Sequence, residues 1–535
     1  MVGTVETMGA ARRRDRARAL LAGSSALAIV TVLAAAGAAR ADTTISSPTT
    51  IQVANPSSGN VTVSPGGSII VGGSTAVVNS GTLGSISNNG LISGTFSGVG
   101  LRSGSSIGTL VNAAGGAIAG AGTGLLVSGS AGSIINSGTI SGGNYAAVSV
   151  LRAGRVGVLS NAGTLVGASL GISTDGIIQT LTNTGTISGS LGILNFAFAT
   201  LASIGGAPVS VTLGTVAQAY NSGLIAGVQA GLANGAVIGS LANDGRITGS
   251  GVAGLDNSGN RSNVVSGSGA GVTPVGGTIG TLVNNGTISG LLGGVLNTVT
   301  SGSIGTLNNS GLIIGTDHGT TSGHFGGVDN AGTIGTLVNT SFVGTLGTIP
   351  GTIEGVWGVR NSGSIGTLNN NGIIKGDLRS GVYSSGTIGQ LYNNGGAGII
   401  GDASSYGLVI GTNAGAGGKL GTLTNYGLIT GGSGLGVQGN LSTGALVTSI
   451  TQLTNGSIAG TVGSIIATGG TGPGVGIQNV LAVIGSISNA GVIRASGTAV
   501  GVNSRHRHRE RRRHHRHGVQ HRLDLRRCRH QQRTQ

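Results

Sequence analysis

Residues 279–290 read IGTLVNNGTISG, and the same pattern returns as IGTLNNSGLIIG at 304–315 and as IGTLNNNGIIKG at 365–376. Looser copies stand at 156–167, 178–189, 238–249, 420–431 and 484–495. Many neighbouring copies begin about 22 to 34 residues apart, which is within the usual range for a solenoid repeat. The fold therefore depends on one repeated unit rather than on a single motif.

The arrangement of apolar residues in the unit distinguishes strands from a helix. Two apolar residues stand three positions apart, such as Ile279 and Leu282, and a second apolar segment surrounds Ile288. This spacing also fits a helix, but glycine in almost every turn of such a helix would cost about 1 kcal/mol each. A third short segment, such as GGVLN at 293–297, often closes the unit. Three short strands per coil, stacked on their equivalents, predict an all-β fold, a single-stranded parallel β-helix.

Asparagine occupies one fixed place in the unit, five residues after the first apolar position. The residues concerned are Asn112, Asn161, Asn183, Asn243, Asn284, Asn309, Asn339, Asn370, Asn393, Asn425, Asn455 and Asn489. In stacked coils these amides can hydrogen-bond from coil to coil, so we predict a structural Asn ladder rather than a ligand site. Glycine usually follows two residues later, as at Gly245 and Gly286, and is predicted to supply a left-handed corner. The stretches 195–220 and 257–277 break the pattern and are predicted to be loops.

The positive charge of the chain lies at its two ends. The 535 residues include 28 Lys and Arg against 13 Asp and Glu. Segments 1–41 and 505–535 hold six and twelve arginines, each against two acidic residues, which leaves ten basic and nine acidic residues in 42–504. A nearly neutral body offers little of the attraction by which proteins bind phosphate backbones. We predict a signal peptide at 1–41, a repetitive β-helix at 42–504 and an Arg/His-rich tail at 505–535.

The first segment has the order of a secretory signal. Arginines at 12–18 precede an apolar run over 20–36, and a small-x-small site follows, with cleavage predicted between Ala41 and Asp42. The alternative is an uncleaved membrane anchor. The single cysteine, Cys528, lies outside the body, which is compatible with passage through an oxidising compartment.

The composition changes abruptly after Ser504, where the chain continues RHRHRERRRHHRHGVQHRLDLRRCRHQQRTQ. Arginines in such a segment can bind nucleic acid, and its histidines can bind metal. We prefer the interpretation of a frameshift, because His and Arg codons of a GC-rich gene become Thr, Gly and Ala codons one base later. On that interpretation the tail is disordered and has no specific nucleic-acid partner.

Groups able to carry chemistry are few in the body. Its two histidines belong to the segment TDHGTTSGHFGGVDN, which places Asp317, His318, His324 and Asp329 near one another in sequence. These four residues are candidates for metal ligands or a general base. We prefer the alternative, a polar loop between two repeats, because the sequence does not support a ligand geometry. We predict no catalytic residue, no bound metal and no cofactor.

Trp357 is the single tryptophan, and Glu354 and Arg360 stand beside it. This grouping is a candidate for a small carbohydrate-contact patch, but we prefer the alternative, a loop or surface tryptophan.

With its Arg-rich signal, cysteine-free body and Gly/Asn-rich repeats, the chain resembles the passenger of an autotransporter, a type V secretion protein. The resemblance covers about residues 1–504 and implies a secreted, cell-surface protein associated with the outer membrane. It implies an adhesive role toward host or neighbouring-cell material, glycans or like chains. Such passengers normally precede a β-barrel translocator, and no C-terminal series of alternating strands is recognisable here. The alternative function is a β-helical polysaccharide lyase or hydrolase.

Overall fold

The structure is a computed structural model. It describes residues 42–54, 59–198, 212–258, 276–317, 326–344, 347–411, 417–439, 448–458, 461–469, 474–495 and 502–505. Ala41 and the rest of the predicted signal peptide lie outside the described residues, and Asp42 is the first residue within them. The chain divides into two compact units, residues 1–504 and 505–535, and all but one of the described residues belong to the first.

The predicted parallel β-helix is confirmed. Each coil runs through three short strands, which stack on the equivalent strands of neighbouring coils to form face 1, face 2 and face 3. Face 1 consists of the strands Thr43–Ile45, Asn60–Val63, Thr82–Asn88, Ser106–Asn112, Ser130–Asn136, Arg155–Asn161, Ile177–Asn183, Thr215–Asn221, Val237–Asn243, Thr278–Asn284, Ser303–Asn309, Thr333–Asn339, Ser364–Asn370, Thr387–Asn393, Lys419–Asn425, Ser449–Asn455 and Val483–Asn489.

Faces 2 and 3 belong to one sheet, because two long strands, Thr186–Phe198 and Leu224–Gly235, run through both faces. The other strands of face 2 are Pro48–Thr49, Ser68–Val71, Leu91–Gly94, Ala117–Gly120, Thr139–Gly142, Thr164–Gly167, Arg246–Gly249, Thr287–Gly290, Leu312–Gly315, Thr352–Gly355, Ile373–Gly376, Gly398–Ile400, Leu428–Gly431, Ser464–Ala467 and Val492–Ala495. The other strands of face 3 are Val53–Ala54, Val77–Asn79, Ser97–Leu101, Thr123–Val127, Ala146–Val150, Leu170–Thr174, Ala253–Asp256, Gly293–Asn297, Gly326–Asn330, Trp357–Asn361, Val382–Ser384, Tyr406–Ile410, Ser433–Gln438, Ile477–Val480 and Val502–Arg505.

Among the described residues, three short antiparallel pairings interrupt the solenoid. Thr212–Leu213 pairs with the end of the long strand at Ala197 and Phe198. The hairpins Ser341–Gly344 with Gly347–Pro350 and Ser457–Ile458 with Thr461–Val462 are the other two.

The two stretches predicted to be loops, 195–220 and 257–277, are only partly described, and parts of both belong to regular coils. Residues 195–198 complete a long strand, and 215–220 lie within a regular strand of face 1. Asn257 and Gly277 likewise belong to regular coils, and they hydrogen-bond to each other. The rest of these stretches, 199–211 and 259–275, lies outside the described residues. At 215–220 the low similarity of the copy to the repeat misled the prediction.

The core consists of continuous columns of aliphatic side chains. Ile279 and Leu282 of face 1, Ile288 of face 2 and Val295 of face 3 are fully buried. Equivalent residues stack in parallel register, as Ile279 does on Ile304. With about 4.8 Å between strands, the 17 described strands of face 1 span about 77 Å. A coil covers its open apolar faces only by contact with its neighbours, so the coils are stable as a stack.

The glycines after the ladder position have a different role from the one predicted. None of these corner glycines has a positive φ, which among the described glycines occurs at Gly66, Gly73, Gly104, Gly396, Gly411 and Gly469. Instead, a Cβ on Gly286 would stand 2.0 Å from the carbonyl oxygen of Gly245 in the preceding coil. The same close approach recurs at Gly245, where the Cβ would lie 2.2 Å from the oxygen of Gly223. Glycine is required there by stacking and not by a left-handed corner.

Candidate functional site

An Asn ladder runs along the corner that follows face 1. All twelve predicted asparagines belong to it, together with three that the sequence analysis missed, Asn88, Asn136 and Asn221. From one coil to the next, the side-chain nitrogen donates to the side-chain oxygen over 2.7–2.9 Å. The missed residues stand at the same place in the unit, and Asn136 was obscured because the first apolar position of its copy is Ala131.

Asn284 shows that both polar atoms of a ladder amide are engaged in hydrogen bonds. Its oxygen accepts a hydrogen bond of 2.7 Å from Asn243, and its nitrogen donates 2.8 Å to Asn309. The same nitrogen lies 3.1 Å from the carbonyl oxygen of Leu312 and 3.3 Å from that of Gly286. The amide is fully buried, so its polar atoms are satisfied within the corner and are not directed at a ligand.

A second ladder lies at the end of face 3. It links Asn195, Asn234, Asn257, Asn297, Asn330 and Asn361, and ends on the hydroxyl of Ser384. The sequence analysis did not predict it, although the final asparagine of GGVLN at 293–297 and GGVDN at 326–330 was the available signal. Both ladders are structural, because successive amides are bonded to one another and all of them except the terminal Asn489 are buried.

The candidate cluster of Asp317, His318, His324 and Asp329 is only partly described. His318 and His324 lie outside the described residues. Asp317 follows the strand Leu312–Gly315 of face 2, whereas Asp329 lies in face 3, where it is paired with Arg360. Within the described ranges, no group of three or more His, Cys, Asp or Glu side chains is placed to hold a metal ion.

Seven side chains of three successive coils form a second grouping. We call it the charged-aromatic cluster, and its members are Asp329, Glu354, Trp357, Arg360, Lys375, Asp377 and Tyr383. The strand register brings them together: Arg360 is aligned with Asp329 on one side and with Tyr383 on the other. On face 2, Glu354 is aligned with Lys375. Sequence reasoning noted Glu354, Trp357 and Arg360 because they are neighbours in the chain; the other members join them only through stacking of coils.

Asp329 and Arg360 form an ion pair at one end of this cluster. Arg360 Nη1 lies 3.0 Å from Asp329 Oδ2. The arginine side chain is 35% exposed and the aspartate side chain only 3%. Burial raises the pKa of Asp329 to about 6, and the attraction of Arg360 opposes this shift without cancelling it.

Lys375 links two carboxylates at the other end. Its Nζ lies 2.5 Å from Asp377 Oδ1 and 2.6 Å from Glu354 Oε1. Hydrogen bonds to Asp377 and then to Glu354 hold the pKa of Lys375 above its ordinary value. Because the lysine is 42% exposed, water screens these ion pairs and their contribution to stability is small.

The aromatic members lie in face 3, beside Arg360. The ring centroids of Trp357 and Tyr383 are 5.9 Å apart with the planes tilted by 38°. The guanidinium carbon of Arg360 is 5.3 Å from the centroid of the Trp357 ring, which is within the range of a cation–π contact. Burial raises the pKa of Tyr383, so this hydroxyl is protonated at neutral pH.

A shallow groove also runs along the outer side of face 2. Its volume is about 420 Å³, and its lining includes Ser188, Thr248, Ser289 and Arg246. Small hydroxyl groups and one cation provide no acid and base pair. For chemistry, the charged-aromatic cluster is therefore the better candidate.

We expect the buried carboxyl of Asp329 to make stability depend on pH. Its folded pKa of about 6 exceeds the ordinary value of 3.8, so the folded state holds this proton more tightly between those values. The free energy of unfolding should therefore rise by about 1 kcal/mol from this group when pH falls from 7 to 5, and the gain is lost as pH rises through 6. Urea denaturation of the wild type and of Asp329→Asn at both pH values measures it. The same pH response in both proteins would refute this assignment.

In the part of the chain that the structure describes, no helix is long and apolar enough to cross a membrane. Comparison of the chain with protein-family models, curated proteins and solved structures finds no significant match. The fold and the charged-aromatic cluster are therefore the basis for proposing a function.

Proposed function

We propose that this chain is an exported structural and adhesive protein of the bacterial cell surface, the β-helical passenger of an autotransporter-like secretion system. The observation that carries the proposal is the unbroken stacking of face 1, in which 17 parallel strands follow one another in register. Such a stack with a buried amide ladder supports an elongated scaffold that holds its outer side chains at fixed intervals.

Three further properties support export and surface exposure. The order of charge and apolarity over 1–41 is that of a secretory signal. The body lacks cysteine, so oxidation cannot cross-link it during passage. A solenoid can also fold coil by coil from a first completed coil, because each coil contacts mainly its neighbours.

Export is tested by producing the full chain in a Gram-negative host and identifying its N-terminal peptide by mass spectrometry. We expect a mature protein that begins at Asp42 and is found outside the cytoplasm. A cytoplasmic protein that retains residues 1–41 would contradict export.

Adhesion is tested separately with the purified mature protein. We expect saturable binding to at least one of three surfaces: host or neighbouring cells, extracellular matrix, or the same protein immobilised. Failure to bind all three would contradict the adhesive role while leaving export intact.

A polysaccharide-active enzyme is the second candidate, and one observation favours it. A carboxyl whose pKa is raised to about 6, as at Asp329, is suited to act as a general acid. However, its side chain is 3% exposed and bonded to Arg360, so a substrate reaches it only if Arg360 moves. Release of new reducing ends or unsaturated products from a polysaccharide panel, lost in Asp329→Asn, would favour the enzyme over the adhesive scaffold.

A further inference from the structure

The charged-aromatic cluster brings the single tryptophan of the chain together with a tyrosine and two ion pairs. We propose that this cluster is a binding site for a neutral oligosaccharide. The proposal names the ligand class of the adhesive function given above, and it rests on that function. The apolar area comes from Trp357 and Tyr383 in face 3, where Arg360 lies over the Trp357 ring. Glu354 and Lys375 add partly exposed polar groups from face 2.

The fold does not need these side chains. On the preceding coil Gly326 is aligned with Trp357, and one coil earlier Leu296 is aligned with Asp329. Both of these coils keep a fully buried valine in face 3, Val328 and Val295. A coil therefore forms with glycine or an aliphatic residue at these positions. The larger polar and aromatic groups are not needed for stacking and serve the outer surface.

The charge of the cluster favours a neutral ligand. It contains three carboxylates and two cations, and each cation lies within 3.0 Å of a carboxylate oxygen. The cations are thus neutralised within the cluster, so an anionic ligand meets no excess of positive charge. Sugar hydroxyls both donate and accept hydrogen bonds, which suits the partly exposed Glu354 and Lys375.

The size of the cluster favours an oligosaccharide over a protein partner. The cluster extends over three successive coils, which corresponds to about 10 Å along the stack. One or two sugar rings cover that length, and a planar ring face can lie against an aromatic side chain. A stable protein interface needs about 800 Å² on each partner, which corresponds to about 20–30 residues on each side, whereas this cluster has seven.

Because Trp357 is the only tryptophan, its fluorescence reports on this site alone. The mature protein is titrated with cellohexaose, chitohexaose, maltohexaose and mannohexaose. We expect at least one sugar to change the emission saturably and to protect the ring from acrylamide. Glu354→Gln and Tyr383→Ala should each weaken that binding about tenfold. Phe96→Ala, which removes an aromatic ring that is 62% exposed on a distant coil, should leave it unchanged.

Calorimetry with Trp357→Ala provides the independent measurement, and it should also show about tenfold weaker binding. If Trp357→Ala has a lower unfolding midpoint, weaker binding could come from the loss of structure. The nearly isosteric Glu354→Gln then serves as the test, and a folded Glu354→Gln protein with unchanged affinity overturns the site. Binding in calorimetry without a change in tryptophan emission also overturns it. Adhesion to cells without binding to any of the four sugars refutes this inference and leaves the adhesive function standing, whereas absence of all binding refutes both.

Discussion

Replacing Asn284 by alanine is expected to lower the free energy of unfolding by about 3 kcal/mol. The change removes the acceptor for the side-chain nitrogen of Asn243 and the donor for the side-chain oxygen of Asn309. It also removes the donor that lies 3.1 Å from the carbonyl oxygen of Leu312. All three groups lie at a corner from which the protein excludes water, and an unsatisfied buried polar group costs about 1–3 kcal/mol. Urea denaturation followed by circular dichroism gives the loss.

Asn285 provides a matched control, because it is the same residue type one position later but is exposed. Its side chain donates to Asp244 over 2.8 Å and accepts from Ser310 over 2.6 Å. Since water can replace both partners, Asn285→Ala should change the free energy of unfolding by less than about 0.5 kcal/mol. Equal losses in the two variants would show that the ladder contributes no more than surface hydrogen bonds.

Replacing Gly286 by alanine is expected to cost about 3 kcal/mol or more, although alanine is the smallest possible addition. The new Cβ would stand 2.0 Å from the carbonyl oxygen of Gly245 and 2.7 Å from the carbonyl carbon of Asp244. These are backbone atoms held by the ladder of the preceding coil, so they cannot move aside as a flexible side chain does. Hydrogen exchange should show faster opening of the coils on either side of the substitution, because they must separate to admit the methyl group.

Gly72 is the control for this second prediction. No heavy atom lies within 4 Å of a Cβ built there, and its φ is not positive. Gly72→Ala should therefore leave the denaturation midpoint unchanged or raise it slightly, because alanine reduces the freedom of the unfolded chain. If Gly286→Ala behaves in the same way, close stacking does not explain the corner glycines.

The repeat allowed much of the fold to be predicted. Two apolar residues three positions apart and a following asparagine define a strand and its corner. This pattern is kept even where the segment between two successive copies differs in length or composition. Residues 215–220 show the limit, because Val216 and Asn221 keep the pattern but the copy around them is too dissimilar to recognise. The role of the corner glycines was also predicted wrongly. Glycine is selected both where a neighbouring coil leaves no space for a Cβ and where φ is positive, so the residue type alone does not distinguish these two causes.

The candidate site was less accessible to prediction. Glu354, Trp357 and Arg360 are close in the chain, and this proximity was visible. Asp329, Lys375 and Tyr383 belong to neighbouring coils, and only the register between coils places them beside the first three. For the four-residue grouping around His318, Asp317 follows a strand of face 2 and Asp329 lies in face 3. His318 and His324 lie outside the described residues, so this grouping stays a prediction.

The sequence by itself determined that this protein is a stacked β-solenoid with a corner ladder, because both depend on patterns within one repeat that each coil reproduces. Only the tertiary structure decided which residues of different coils meet, since the lengths of the connections vary and a contact such as Asp329 with Arg360 depends on the register that the whole stack imposes. The second ladder at the end of face 3 belongs to the same class: its asparagines are visible in the sequence, but their alignment is a property of the stack.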